Sequence, residues 1–140
     1  LVGSEMCIRD RSYVSLLNQK TIKKNVSFSG IGLHNGTQVN ICVKPSAPDA
    51  GIVFKRIDLK DNNLIYPNFM NVSNTALNTT ISNNCGVKVS TIEHLMGALF
   101  GMGIDNALVE IDNEEVPILD GSAKVFIDKI TDQSDKLVII

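Results

Sequence analysis

From residue 19 onward the apolar positions follow two spacings, two and about three and a half, and these lay out most of the elements. Residues 21–29 are β-rich, with Ile22, Val26 and Phe28 set among polar neighbours. GIGLHNG at 30–36 supplies turn chemistry through Gly30, Gly32 and Asn35-Gly36. Val39, Ile41 and Val43 then alternate with Asn40, Cys42 and Lys44, the pattern of a half-buried strand that Pro45 and Pro48 end. Residues 52–57 predict another strand, and 58–63 a polar loop. Residues 77–82 and 87–89 read as two strands joined by an Asn83-Asn84-Cys85-Gly86 turn, a hairpin. Residues 66–71 favour neither period.

The spacing changes at residue 90. Ile92, Leu95, Met96 and Leu99 stand at i, i+3, i+4 and i+7, which predicts a helix over 90–102 with Gly103 at its C-terminal stop. A strand at 107–111 and a short extended piece at 116–118 follow. Asp120-Gly121-Ser122 then starts a second helix running to about Ile130. Strands dominate early; helix, strand and helix come after. The fold class this implies is α+β: a two-layer sandwich of a mainly antiparallel sheet with helices packed on one face.

The first residues do not join this pattern. The string VGSEMCIRDR resembles a translated sequencing-library adapter, so residues up to about Arg11 are expected to be non-native. Residues 1–18 are accordingly set aside as a non-native or disordered leader.

Composition adds limits rather than direction. Of the 140 residues, 44% are hydrophobic and 20% charged, enough for one domain with a real core. A net charge of −2 and 5% aromatics argue against a nucleic-acid surface, and the cluster Lys20, Lys23, Lys24 reads as a solvated strand face. Cys7, Cys42 and Cys85 are odd in number, widely spaced and without a C-x-x-C, which fits a reducing, cytoplasmic setting. No apolar run is long enough to span a bilayer, so no transmembrane segment is expected.

The candidate chemistry sits at the first helix. Glu93 and His94 are adjacent at its start, where a carboxylate and an imidazole can surround one water as general base and metal ligand. The motif H-E-x-x-H uses the same adjacency in reverse, but no second histidine follows four residues on. A structural reading competes: Ser90-x-x-Glu93 is a capping box, with Glu93 reaching back to the Ser90 amide. The other histidine, His34, lies in the Gly-rich turn, which is no phosphate loop. Asp112, Glu114 and Glu115 read as a solvated acidic loop, and Asp120-Gly121-Ser122 as a turn with a helix cap.

GIGLHNG, STIEHLMGALFGMGIDNALVEI and EVPILDGSA occur in that order. Together they resemble the zinc-dependent UDP-3-O-acyl-N-acetylglucosamine deacetylases of lipid A synthesis in Gram-negative bacteria, over about residues 19–130. The resemblance implies two domains of similar topology with the active site between them. Residues 19–131 would be the N-terminal domain, and 132–140 a truncated inter-domain segment. Glu93 falls on the general base and His94 on the one Zn2+ ligand this domain supplies. A histidine and an aspartate of the missing C-terminal domain would complete the site, with another histidine there as general acid. His34 falls on the histidine of the turn on the active-site side, and Leu77 on a residue lining the acyl-chain route. The fragment alone is then expected to be inactive, with an apolar patch exposed near Glu93 and His94. The rival expectation is a non-catalytic α+β binding or interaction domain.

Overall fold

The computed structural model of the chain describes residues 19–67, 72–74, 79–134 and 137–139. Ten strands lie within these residues: β1 (Lys20–Ile22), β2 (Val26–Ile31), β3 (Gln38–Pro45), β4 (Ile52–Arg56), β5 (Leu64–Ile65), β6 (Val72–Asn74), β7 (Thr80–Ser82), β8 (Lys88–Ser90), β9 (Ala107–Ile111) and β10 (Leu137–Ile139). Two helices accompany them, α1 (Glu93–Gly101) and α2 (Lys124–Ser134).

The alternation read at Val39, Ile41 and Val43 places all three in the core while Gln38 and Asn40 face solvent. β3 pairs antiparallel with β2 on one side and with β9 on the other. β9 pairs parallel with β4, and β4 antiparallel with β5, giving the order β2-β3-β9-β4-β5. β6, β7 and β8 form a separate antiparallel sheet, which contains the expected hairpin around 83–86. The architecture is therefore the α+β, mainly antiparallel arrangement that the periodicity implied, with one parallel pair.

The helices cover the sheet through their apolar stripes. Leu95, Ala98 and Leu99 of α1 are buried, as are Phe126 and Ile130 of α2. The ring of Phe126 lies 5.1 Å from that of Phe28 on β2, a tilted aromatic pair joining helix to sheet. α1 stops in a Schellman motif: the Gly103 amide donates to the Phe100 carbonyl and the Ile104 amide to that of Leu99. Gly103 adopts φ +73°, which glycine reaches without a Cβ clash. Ile104 and Leu99 are both buried beside it, the apolar contact that accompanies such a stop.

Polar side chains tie the layers at their edges. Arg56 holds Asp58 with two hydrogen bonds, at 2.9 and 2.7 Å, and donates a third to the Lys88 carbonyl of β8 at 2.9 Å. Asn83 donates to the carbonyls of Asn62 and Leu64 and accepts the amides of Cys85 and Val87. Its one side chain thus shapes the hairpin turn and fixes it to β5.

The β-rich reading of residues 21–29 holds, as two strands rather than one. They are β1, which pairs with β10, and β2, which pairs with β3, separated by a bend at 23–25. The Lys20 carbonyl at the start of β1 accepts the amides of Asp105 and Asn106. The second helix runs beyond Ile130 to Ser134.

Candidate functional site

α1 begins abruptly. Ser90 closes β8, and Thr91 then turns the chain with φ +59°, a left-handed conformation that a β-branched residue rarely adopts. Ile92 is the N-cap, already in the right-handed helical region at φ −84°, ψ −9°. The capping box does not form. Ser90 belongs to the strand ladder, and both its amide, at 2.8 Å, and its hydroxyl, at 3.2 Å, donate to the Glu114 carbonyl. Ile92, the N-cap, makes no side-chain capping bond. Glu93 instead accepts the Thr79 amide at 3.1 Å, while the Ile92 amide donates to the Thr79 carbonyl at 3.3 Å. Glu93 therefore fastens α1 to Thr79, the residue just before β7, with its carboxylate exposed in a first turn that favours negative charge.

His94 follows, half-buried. Phe100 is 65% exposed and lies two helical turns from Glu93, on the same side of α1 as Glu93 and the exposed Gly97. Among the described residues, no group of three or more His, Cys, Asp or Glu side chains could hold a metal ion. His94 and Glu93 fit one side of a metal site: one imidazole, with a carboxylate beside it. They fall short of the three protein ligands a catalytic zinc takes. Leu77 lies outside the described residues.

His34 is not a detached turn residue. Its ring Nδ1 lies 2.8 Å from Oε2 of Glu115, and its amide donates to both oxygens of the same carboxylate. The Asn35 amide donates to Oε1 at 3.0 Å, and the Thr91 hydroxyl to Oε2 at 2.7 Å. Glu115 is itself only 1% exposed. The acidic run was thus misread as solvated: its last member is a buried anion surrounded by donors. Burial pushes the Glu115 carboxyl pKa up. The hydrogen bonds from the Asn35 amide, the Thr91 hydroxyl and the His34 ring and amide outweigh that, so it lies below the usual value.

The glycines of the turn make room for this contact. A Cβ on Gly32 would meet Oδ1 of Asn35 and come within 2.5 Å of Oε1 of Glu115. A Cβ on Gly30 would stand 2.9 Å from the Cβ of Pro117. Gly32 bridges antiparallel to Pro117, Ser90 bridges parallel to Glu115, and the Ile118 amide donates to the Ile31 carbonyl. Three segments far apart in sequence, 30–36, 90–94 and 115–118, therefore meet around one carboxylate. Ile31 and Leu33, 48% and 58% exposed, put apolar surface beside His34.

Glu115 and Thr91 are the residues that sequence reasoning missed. One signal was present: Glu115 directly precedes the apolar run Val116-Pro117-Ile118, so a solvated carboxylate there would sit against buried neighbours.

Residues 19–136 match the family described as UDP-3-O-acyl N-acetylglycosamine deacetylase. The chain is 50% identical over 118 residues to the UDP-3-O-acyl-N-acetylglucosamine deacetylase of Geotalea uraniireducens, covering 84% of the chain and 38% of that protein. It is 47% identical over 112 residues to the proteins of the same name from Pseudoalteromonas atlantica and Teredinibacter turnerae, covering 80% of the chain and 37% of each. The chain thus spans well under half the length of these relatives.

Proposed function

The chain belongs to the family of UDP-3-O-acyl N-acetylglycosamine deacetylases, and from that premise we propose that it supplies one side of a zinc-dependent deacetylase site. The substrate is UDP-3-O-acyl-N-acetylglucosamine, and the reaction is hydrolysis of its acetamide to acetate and a free 2-amino sugar nucleotide, a step of lipid A synthesis in the cytoplasm of Gram-negative bacteria. His94 would hold the Zn2+ from this chain, residues 19–131 acting as the N-terminal domain. A histidine and an aspartate of a C-terminal domain, outside these residues, would complete the ligand set. Bound zinc supplies a Lewis acid that acidifies a water and polarises the acetyl carbonyl.

Glu93 is the general base. It is adjacent to His94 on α1, and successive helical side chains diverge by about 100°, so the carboxylate can reach a water beside the metal ligand and take its proton. Its bond to the Thr79 amide uses Oε1, which holds the side chain in place and leaves the second oxygen for that proton. His34, and Leu77 in the acyl-chain route, would line the substrate pocket. The observation that carries this reading is the meeting of the His34 turn, the start of α1 and the segment after Glu115 around one carboxylate.

The test is the gene extended from genomic DNA and expressed as the whole protein, assayed for acetate release. Glu93→Gln is expected to lower kcat by about 10²–10⁴-fold with bound zinc unchanged, and His94→Ala to lose the zinc itself. Turnover that survives Glu93→Gln would remove the base assignment. Zinc-dependent acetate release by these 140 residues alone would remove the split site.

A further inference from the structure

We infer that Glu115 is a positioning residue of this site: its buried carboxylate holds the His34 ring with the proton on Nδ1, and the same two oxygens pin the Thr91 turn from which α1 departs. Oε1 receives the His34 and Asn35 amides, each at 3.0 Å. Oε2 receives the Thr91 hydroxyl at 2.7 Å and the His34 amide at 3.1 Å, and faces His34 Nδ1 at 2.8 Å. An ionised carboxylate can only accept, so the ring nitrogen pressed against it donates. In the neutral ring the lone pair is then on Nε2, which becomes an acceptor for a hydroxyl or amide N–H.

The local sequence is suited to this. The absence of a side chain at Gly32 lets Oε1 sit against the turn backbone. The left-handed Thr91 points its hydroxyl at Oε2, so the anion that orients His34 also fixes where Ile92, Glu93 and His94 begin. One buried charge therefore couples the two histidine-bearing segments. The inference rests on the deacetylase reading only for calling this the site of an acylated amino sugar.

The experiment uses the 15N-labelled chain with neither substrate nor zinc, so its outcome is independent of any deacetylase assay. Long-range 1H–15N correlation at a pH where His34 is neutral reads the tautomer. The expected result is a protonated Nδ1 and an unprotonated Nε2, opposite to the form free histidine prefers. A protonated Nε2 in the wild-type chain overturns the inference without recourse to any variant. Glu115→Gln turns one acceptor into a donor facing donors; His34 is expected to lose the Nδ1-protonated form, with the Asn35 and Thr91 amide signals shifting together. An unchanged tautomer in that variant overturns the inference. Thr91→Val removes only the hydroxyl, so it tests the coupling should Glu115→Gln fail to fold. The His34 ring signals should then shift through the shared Oε2, and unshifted signals overturn the coupling.

Discussion

Thr91 offers the sharpest quantitative test of how the site is held. At φ +59° an L-residue brings its Cβ against the following carbonyl, at a cost of about 1–2 kcal/mol. The Thr91 hydroxyl offsets this by donating to the buried Glu115 carboxylate at 2.7 Å, and a hydrogen bond to a charged group contributes about 1.5–3 kcal/mol. Thr91→Ala loses the bond and keeps the strained Cβ, so it should destabilise by about 2 kcal/mol. Thr91→Gly loses the same bond but relieves the strain, less about 0.5–1 kcal/mol of added backbone entropy. The glycine variant should therefore exceed the alanine variant by about 0.5–1 kcal/mol, reversing the order at an ordinary helix-forming position. Urea denaturation followed by circular dichroism reads this as a midpoint higher by a few tenths of a molar for Thr91→Gly, at about 1–3 kcal/mol per molar. An alanine variant as stable as the glycine variant, or as stable as wild type, would refute the account of Thr91 as a strained residue held by Glu115.

The other predictions concern the core, the turn and pH. Phe126 is fully buried against Phe28, so Phe126→Ala should cost about 3–5 kcal/mol in urea unfolding, and a loss below about 1 kcal/mol would contradict that packing. Gly32→Ala should destabilise the chain because its Cβ would stand 2.5 Å from the Glu115 carboxylate. Gly36→Ala meets open space and bears only the strain of φ +68°, so a Gly36→Ala loss larger than that of Gly32→Ala would refute the steric argument. The pKa of Glu115 is depressed in the folded state, so the unfolded chain binds more protons as the medium turns acid. Its contribution is complete above the ordinary carboxylate value of about 4.3 and is lost as pH falls through the lower folded value. Glu115→Gln should flatten the acid limb of stability against pH, and an unaltered slope would dismiss it as a contributor.

Elements whose burial is decided by their own periodicity were legible in the sequence. The alternation at Val39, Ile41 and Val43 gave β3, and the spacing of Leu95 and Leu99 gave α1 and its Gly103 stop. What failed was set by distant partners. The break between β1 and β2 falls at the exposed polar run Lys23-Lys24-Asn25, and the partners that hold β1 lie far along the chain: the Lys20 carbonyl accepts the amides of Asp105 and Asn106. Asn106 shows how dense that junction is. Its carbonyl accepts the Thr21 hydroxyl at 2.6 Å, and its buried side chain links Gln19 to the Gly51 amide.

The start of α1 shows why a strong local signature can lose. Ser90-x-x-Glu93 has the residues of a capping box, yet a serine hydroxyl can cap a helix only if its backbone has left the preceding strand. Ser90 remains in the ladder, opposite Thr80 and bridged to Glu115, with amide and hydroxyl both committed to the Glu114 carbonyl. The whole turn into the helix then falls to Thr91 alone, which explains its left-handed backbone. A residue forced into that conformation needs a fixed partner, and the buried Glu115 carboxylate is that partner. The same anion collects the His34 turn because both segments bring donors to a place water does not reach. Glu93 and His94 could be picked out from adjacency and resemblance. The groups that aim them could not, since a carboxylate in an acidic run gives no local sign that three segments will close over it.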